Sequence, residues 1–358
     1  MQQSVTSTKP ILIDALHINM GGALMILNHL VDRLVTRNVN FVLLKDERCP
    51  KLRSEQSIPE IIVMSSGERL RRRYYKSHRE SFSTVLCLGN IPPAIKMPVP
   101  VHTYIHNVSL LRIPRVTSAK RQVRDYLKRS YIRYYAKNTD TWIVQTENTA
   151  NLVNQYINQL NRPILILPFY SIPTDICKTS IEDRCDYVFI GEYTGAKGHE
   201  YLIDAWKILA QKGVQPTLHL TTTVQKMWTM IEEAKALGAK IKNHGYVSFD
   251  KVVELYNRSK ATIYPSLNES LGLGIIEAAE AGCDVIGCDL PYLYSVCKPS
   301  EVFQPQDPNS IVEAVLRYEK NPRKRTTLHI KDKADDLIQL LLLSKDDLNT
   351  SIESLKIY

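Results

Sequence analysis

Tyr264-Pro265-Ser266-Leu267-Asn268-Glu269-Ser270-Leu271-Gly272-Leu273-Gly274-Ile275-Ile276-Glu277-Ala278-Ala279-Glu280-Ala281-Gly282 changes periodicity part-way along. The apolar run Ala261–Tyr264 that leads into it reads as a buried strand ending at Pro265. A polar loop follows, and from about Gly272 to Ala281 the residues read as a helix. Strand, loop and helix in immediate succession are the repeating unit of an α/β sheet. The helix start offers unpaired N–H groups and the positive end of a dipole, a setting suited to a phosphate. Gly272 and Gly274 permit close approach of a ligand to the backbone.

Glu277 stands between Ile275-Ile276 and Ala278-Ala279. A carboxylate in such a setting is costly unless something donates hydrogen bonds to it. The vicinal diol of a ribose is a fitting donor. An exposed stripe of the helix, or a buried arginine partner, would also account for it.

The same alternation continues on both sides. Before the quoted stretch come Tyr187–Ile190 (strand), His199–Gln211 (helix), Thr217–Leu220 (strand), Val224–Ala236 (helix), Lys240–Asn243 and Lys251–Asn257 (helix). After it come Val285–Ile286 (strand) and, past Asp307-Pro308, a helix from Ser310 to Tyr318. The first half has its own series. Strand candidates are Ile11–Leu16, Phe41–Leu44, Ile61–Met64, Thr84–Leu88, Val101–Ile105, Trp142–Val144 and Ile164–Leu167, and a helical stretch opens at Gly21-Gly22. Between the two series lies an aperiodic stretch with Pro168 and Pro173. These patterns predict two doubly wound, Rossmann-like α/β domains facing each other across a cleft. Their bounds are 1–170 and 185–325, with a linker at 171–184 and a helical tail at 326–358; the sequence leaves open whether that tail packs back on the first domain. Ligands of open α/β sheets bind at the carboxyl edges of the strands.

The 358 residues suit two domains, and 44% hydrophobic with 23% charged residues is globular composition. The Leu-rich run at 340–343 is too short to span a bilayer, and residues 1–10 lack an apolar signal core, so a cytoplasmic protein is expected. Seven cysteines without C-x-x-C spacing read as reduced thiols (Cys49, Cys87, Cys177, Cys185, Cys283, Cys288, Cys297). The nine histidines lack metal-ligand spacing. The net charge of +9 is uneven. Residues 1–170 hold 24 Lys and Arg against 11 Asp and Glu (+13), and residues 171–358 hold 22 against 26 (−4). The excess gathers in two tyrosine-rich segments, 69–79 and 120–137.

The spacing Glu269-x7-Glu277, with Pro265-Ser266 before it and Ala281-Gly282 after it, resembles the E-x7-E motif of retaining glycosyltransferases of family GT4, which have the GT-B fold. Gly191 with Lys197-Gly198, Gly245-Tyr246-Val247, Asp307-Pro308, Asn19-Met20-Gly21-Gly22 and His106-Asn107 match further landmarks of that family in order, over residues 11–318. The resemblance implies that Glu277 accepts hydrogen bonds from the nucleotide ribose and that Glu269 contacts the donor sugar. It implies that Gly272 and Leu273 offer amides to the diphosphate, that Lys197 neutralises it, and that Gly191 belongs to the donor site. His106 would reach the donor sugar from the first domain, and Gly21 and Gly22 would let the first loop approach. Catalytic roles fall on His106, Glu269 and Lys197.

One position departs from the pattern. The family often has arginine after the glycine that closes the strand, and here it is Glu192, which would repel a diphosphate. Lys226 or Arg258 could replace that cation, or Lys197 and backbone amides could hold the phosphate alone. Two other motifs fail: Gly272-x-Gly274-x-x-Glu277 lacks the third glycine of a dinucleotide fingerprint, and Ala196 breaks a P-loop reading of 191–197.

The expected activity is transfer of a sugar from a nucleoside diphosphate to a hydroxyl of a glycan or polyprenyl-diphosphate-linked acceptor, without a metal ion or other cofactor, in bacterial surface polysaccharide (O-antigen or capsule) assembly. The basic tyrosine-rich segments suit an anionic membrane surface at the inner face of the plasma membrane, or else solvated helix faces. The alternatives are a GT-B-fold nucleotide-sugar epimerase, whose pattern lacks the Glu269/Glu277 pair, and a non-enzymatic nucleic-acid-binding protein, in which a buried Glu277 would have no purpose.

Overall fold

The computed structural model describes residues 9–111, 119–171, 184, 186–321, 325–345 and 347–348. Most of the expected linker, Cys177 and Cys185 lie outside the described residues. The chain divides into two compact units, the first comprising residues 1–113, 119–171 and 331–358, the second residues 114–118 and 172–330.

Unit 1 runs β1 (Ile11–Ala15), α1 (Gly21–Thr36), β2 (Phe41–Asp46), β3 (Glu60–Met64), α2 (Glu68–Ser77), β4 (Thr84–Cys87), β5 (Val101–Ile105), α3 (Ala119–Tyr135), β6 (Thr141–Val144), α4 (Glu147–Tyr156) and β7 (Ile164–Ile166). Its seven strands lie in the order β3-β2-β1-β4-β5-β6-β7, and every pairing is parallel. Strand order reverses between β1 and β4. Alternation along β1 explains how one strand serves two cores: Ile11, Ile13 and Ala15 join Leu27, Leu30, Val31 and Leu34 of α1. Leu12 turns to the other face with Val85 and Tyr75. That second face also receives Asp14, whose Oδ2 accepts from Arg71 Nε at 2.7 Å and from the Tyr75 hydroxyl at 2.7 Å.

This pairing corrects part of the basic-segment reading. Arg71, Tyr74 and Tyr75 are buried, while Arg69, Arg72, Arg73 and Lys76 are exposed. A buried carboxylate needs a partner, and Asp14 draws Arg71 inward. Arg71 then donates to the carbonyls of Ile91 (2.8 Å) and Pro92 (3.1 Å), which fixes the loop after β4.

Unit 2 runs β8 (Asp186–Phe189), α5 (His199–Gln211), β9 (Leu218–Leu220), α6 (Gln225–Ala236), β10 (Ile241–Asn243), α7 (Phe249–Arg258), β11 (Ser259–Tyr264), α8 (Leu273–Glu280), β12 (Asp284–Cys288), α9 (Pro291–Tyr294), β13 (Cys297–Lys298), β14 (Glu301–Phe303), α10 (Pro308–Lys320) and β15 (Thr327–Leu328). Six strands form a second sheet in the order β10-β9-β8-β11-β12-β14, again all parallel. Its order reverses between β8 and β11. The short strands β13, β14 and β15 were absent from the sequence reading, since two or three residues carry no detectable period. The late helix starts at Pro308, where the Asp307 carboxylate caps the N–H groups of Asn309 (2.9 Å) and Ser310 (3.2 Å).

After β15 the chain rejoins unit 1. Helix α11 (Ala334–Leu342) places Ala334, Leu337, Ile338, Leu340 and Leu341 in the same core as α1 and β1. Lys333 N–H donates to the Pro168 carbonyl at 2.7 Å, and the Asp332 carboxylate accepts from Tyr170 N–H at 3.1 Å. Arg37 pairs with Asp335 at 2.8 Å. The Leu-rich centre of the tail is therefore the missing wall of the first core. Among the described residues no helix is long and apolar enough to cross a membrane. Replacing fully buried Leu337 by Ala should cost about 2–5 kcal/mol of unit 1 stability. Denaturant unfolding followed by circular dichroism would measure it.

Candidate functional site

In unit 2 the loops leaving β8 and β11, the two strands at the reversal of order, are joined to each other. Leu267 N–H donates to the Ala196 carbonyl at 2.7 Å. Gly198, the residue before α5, has φ +69, and a Cβ built there would lie 2.5 Å from the Pro265 carbonyl oxygen. Only glycine tolerates both that backbone and that contact. The close approach carries Lys197 to the polar loop of the quoted stretch, where its Nζ lies 2.6 Å from Glu269 Oε1. Tyr264, at the end of β11, donates its hydroxyl to the same oxygen at 3.3 Å and places its ring 5.7 Å from the ammonium.

Helix α8 begins directly after this ion pair. Its N-cap, Gly272, is left-handed with φ 68. Within its first turn Ile275 N–H donates to the Gly272 carbonyl at 2.8 Å, and the N–H groups of Leu273 and Gly274 precede the first intrahelical acceptor. One ammonium, paired with a carboxylate, and one helix N-terminus thus lie at the carboxyl edge of the sheet, an arrangement suited to an anion. One turn into α8, Glu277 is half-buried among Ile275, Ile276 and Ala278. Burial raises its pKa to about 7, against a hydrogen bond from Tyr256 that acts to lower it. The neighbouring Tyr256 hydroxyl of α7 donates to the Gly274 carbonyl at 3.3 Å.

Residues 173–335 match the family described as Glycosyl transferases group 1. Unit 2 is similar to a group 1 glycosyltransferase domain. A stretch of 149 residues is 27% identical to the serotype-specific mannosyltransferase WbdA of Escherichia coli, covering 39% of this chain and 18% of that protein. Another of 77 residues is 32% identical to the O-antigen chain mannosyltransferase RfbU of Salmonella typhimurium, covering 21% of this chain and 22% of that one. The chain therefore spans about a fifth of the length of these curated relatives. The Anabaena protein HepE, solved in complex with UDP-glucose, superposes with a TM-score of 0.64 at 13% identity, over 97% of this chain and 98% of that one. The fold is GT-B.

Within unit 2 the departure at Glu192 has a structural explanation. Its carboxylate turns to the loop after β9, accepting from Thr222 Oγ1 at 2.7 Å, Thr223 Oγ1 at 2.7 Å and Thr223 N–H at 3.1 Å. Burial opposes ionisation there, but the Thr223 and Thr222 hydrogen bonds outweigh it and hold the carboxyl below its ordinary range. Glu192 ties two loops together. Arg258 is ruled out as the replacement cation: its Nε donates to Asp186 Oδ2 at 2.7 Å, at the start of β8 and hence the opposite edge of the sheet. Lys226 stays at the carboxyl edge, exposed, with Nζ 3.4 Å from Glu200 Oε1 and 5.8 Å from the Tyr193 ring. Gly191 closes β8, its N–H held by Thr221 Oγ1 at 3.0 Å and its carbonyl by His199 Nε2 at 3.1 Å.

The remaining predicted residues belong to unit 1. Gly21 and Gly22 form the first turn of α1. His106 follows β5, half-buried, with Nε2 2.9 Å from Asn90 Nδ2. Burial lowers its pKa to about 4, so it is neutral at pH 7. The sequence reading missed Asn90, whose Oδ1 accepts from the N–H groups of His106 (2.8 Å) and Asn107 (3.0 Å). It also missed Tyr264 and Tyr256, which adjoin the two glutamates. An Asn-Ile-Pro-Pro turn after an apolar run was the available signal for Asn90; a lone tyrosine in a strand or helix gives none.

The raised pKa of Glu277 has a consequence for stability. A carboxyl raised in the folded state contributes stability that is complete below its unfolded pKa and is lost as pH rises through about 7. Unfolding free energy should therefore fall by on the order of 2 kcal/mol between pH 4.5 and 8 through this group. Glu277→Gln should remove that part of the slope in urea titrations at the two pH values.

Proposed function

We propose that the chain transfers a hexose-type sugar from a nucleoside-diphosphate donor to a hydroxyl of a glycan or lipid-linked acceptor, with retention of anomeric configuration in the manner of family GT4, in the assembly of a surface polysaccharide. The observation that carries this reading is the Lys197–Glu269 ion pair, 2.6 Å long, adjoining the N-terminus of α8. The relationship to WbdA and RfbU supports the acceptor class, and the complex of HepE supports the donor class.

In this reading the diphosphate lies against Lys197 and the amides of Leu273 and its neighbours. These groups stand where negative charge grows as the bond from the anomeric carbon to the phosphate oxygen breaks. The acceptor oxygen bonds to the anomeric carbon on the same face, and its proton passes to the departing phosphate. Glu269 accepts hydrogen bonds from donor-sugar hydroxyls and also orients the Lys197 ammonium. Glu277 accepts from the ribose diol, His106 contacts the donor sugar, and Lys226 is the cation available in place of the family arginine. Fixed dipoles and ammonium groups supply the positive charge, so turnover without a metal ion is proposed too.

Helix α3 supports a membrane-surface location. Val123, Tyr126, Leu127 and Tyr134 are each more than half exposed, and Lys120, Arg124, Lys128 and Arg133 are exposed along the same helix, with Lys137 exposed just beyond its end. Val123, Leu127 and Tyr134 recur at helical spacing, giving an apolar stripe with basic flanks suited to an anionic bilayer.

Thermal-shift and turnover assays with UDP-, GDP- and dTDP-sugars test the donor site. Glu277→Gln should weaken the preferred donor about tenfold to a hundredfold, and Lys197→Ala should lower kcat about a hundredfold. Donor affinity should rise with pH through about 7 as Glu277 ionises, and the rise should vanish in Glu277→Gln. Unchanged affinity in that variant rejects the ribose assignment, and loss of turnover in EDTA rejects the metal-free step. In liposome sedimentation, binding should require anionic lipid, weaken at high salt and drop about tenfold in Leu127→Glu. Binding indifferent to lipid charge rejects the membrane reading.

A further inference from the structure

We propose that Tyr264 is a positioning residue for sugar transfer: its hydroxyl, given room by the absent side chain of Gly274, fixes the Glu269 carboxylate so that one oxygen is engaged by the protein and the other is left for the donor. The proposal rests on the reading above in which Glu269 contacts the donor sugar.

Tyr264 ends β11 and is 3% exposed. A phenol so buried needs a hydrogen-bond partner. Tyr264 gives its single proton to Glu269 Oε1 at 3.3 Å, and the same oxygen accepts from Lys197 Nζ at 2.6 Å. Burial, with the charge of Glu269 beside it, holds the phenol pKa well above its ordinary value, so the hydroxyl stays a donor at any working pH. Among the described residues the hydrogen bonds of Glu269 fall on Oε1, and Oε2 keeps its acceptor capacity for a ligand. An ammonium alone would not select the oxygen, because it is a compact charge on a flexible stem. A second donor on a rigid ring does.

That ring is fixed on several sides. Phe189 of β8 meets it edge-on with centroids 5.5 Å apart, and Tyr292 of α9 lies at 6.4 Å. Tyr292 is itself tied down, its hydroxyl donating to the Ser266 carbonyl at 2.7 Å. Helix α8 forms a further wall. A Cβ at Gly274 would lie 3.2 Å from Tyr264 Cε2 and 3.6 Å from its hydroxyl oxygen. Gly274 is the second residue of that helix, and its φ is not left-handed. The backbone therefore gives no reason for glycine there, and glycine is a poor helix former. The close approach of the tyrosine supplies the reason.

Packing alone would be served by phenylalanine at 264. The hydroxyl matters for the carboxylate, because an ion pair between two long side chains holds neither of them in one geometry. A carboxylate that must meet particular hydroxyls of a sugar gains from being set before the sugar arrives.

The test uses the full chain with UDP-glucose, GDP-mannose, UDP and GDP as probes in calorimetry, together with release of nucleoside diphosphate in turnover assays. The ratio of sugar-nucleotide affinity to bare-nucleotide affinity isolates the contribution of the sugar. Tyr264→Phe, compared at unchanged melting temperature, should lower that ratio about tenfold and kcat about tenfold, with UDP or GDP affinity unchanged. Gly274→Ala, which leaves the tyrosine in place but crowds its ring, should lower the ratio in the same direction. A wild-type ratio in both variants overturns the proposal, and so does an equal loss for sugar nucleotide and bare nucleotide, which a purely structural role would give. Glu269→Gln separates the two readings. If it loses the sugar contribution while Tyr264→Phe keeps it, the sugar contact of Glu269 stands and the positioning role falls. If Glu269→Gln keeps the sugar contribution, the sugar contact falls and the positioning role with it. Absence of binding by both sugar nucleotides overturns the transfer reading and this one together.

Discussion

The approach of Gly198 to the Pro265 carbonyl, with the Leu267–Ala196 hydrogen bond beside it, governs the chemistry of unit 2. A side chain at 198 would push the two loops apart by more than the length of a hydrogen bond can absorb. Lys197 would then leave Glu269, and the ammonium would lose its place beside the start of α8. An ion pair between two long side chains is weakly held when exposed. Here the backbone fixes both ends, so the entropy of bringing them together is largely met by folding.

Both units use the same plan. Each sheet reverses strand order once, and each gathers charged and polar side chains on the loops and helix starts at its carboxyl edge. Parallel strands end with their carbonyls pointing outward at that edge, and helices begin there, so the edge collects donors and positive dipole ends. In unit 2 the result is Lys197, the α8 amides and two carboxylates with tyrosines beside them. In unit 1 it is His17, Glu68, Asn90 and His106, supported from beneath by the buried Asp14–Arg71 pair.

Much of this was legible before folding was considered. The alternating strand and helix periods located nearly every element, because parallel strands buried on both faces are continuous apolar runs. Glu277 stood out because a carboxylate between isoleucines and alanines demands a reason, and Glu269 through the resemblance of the Glu269-x7-Glu277 spacing to a family motif. Other points were misread where local pattern and tertiary partner disagree. Arg258 looked like a cation free to meet a phosphate, but Asp186 claims it at the wrong edge of the sheet. Glu192 looked like a repulsive intruder, yet Thr222 and Thr223 turn it away into a loop contact. The basic run at 69–79 looked suited to an anionic membrane surface or to a solvated helix face, but Asp14 draws Arg71 inward.

The sequence by itself determined the class of fold and the alternation of both halves and singled out the carboxylate at 277, since these follow from periodicity and from the cost of burying charge; the carboxylate at 269 was marked by resemblance to a family motif. Only the tertiary structure decided which partners those groups meet. Lys197 and Glu269 are 72 residues apart in the chain, Asp14 and Arg71 are 57 apart, and α11 returns from beyond unit 2 to close the core of unit 1. No local pattern encodes such meetings. They are set by the order in which strands enter a sheet and by glycines small enough to let the loops touch.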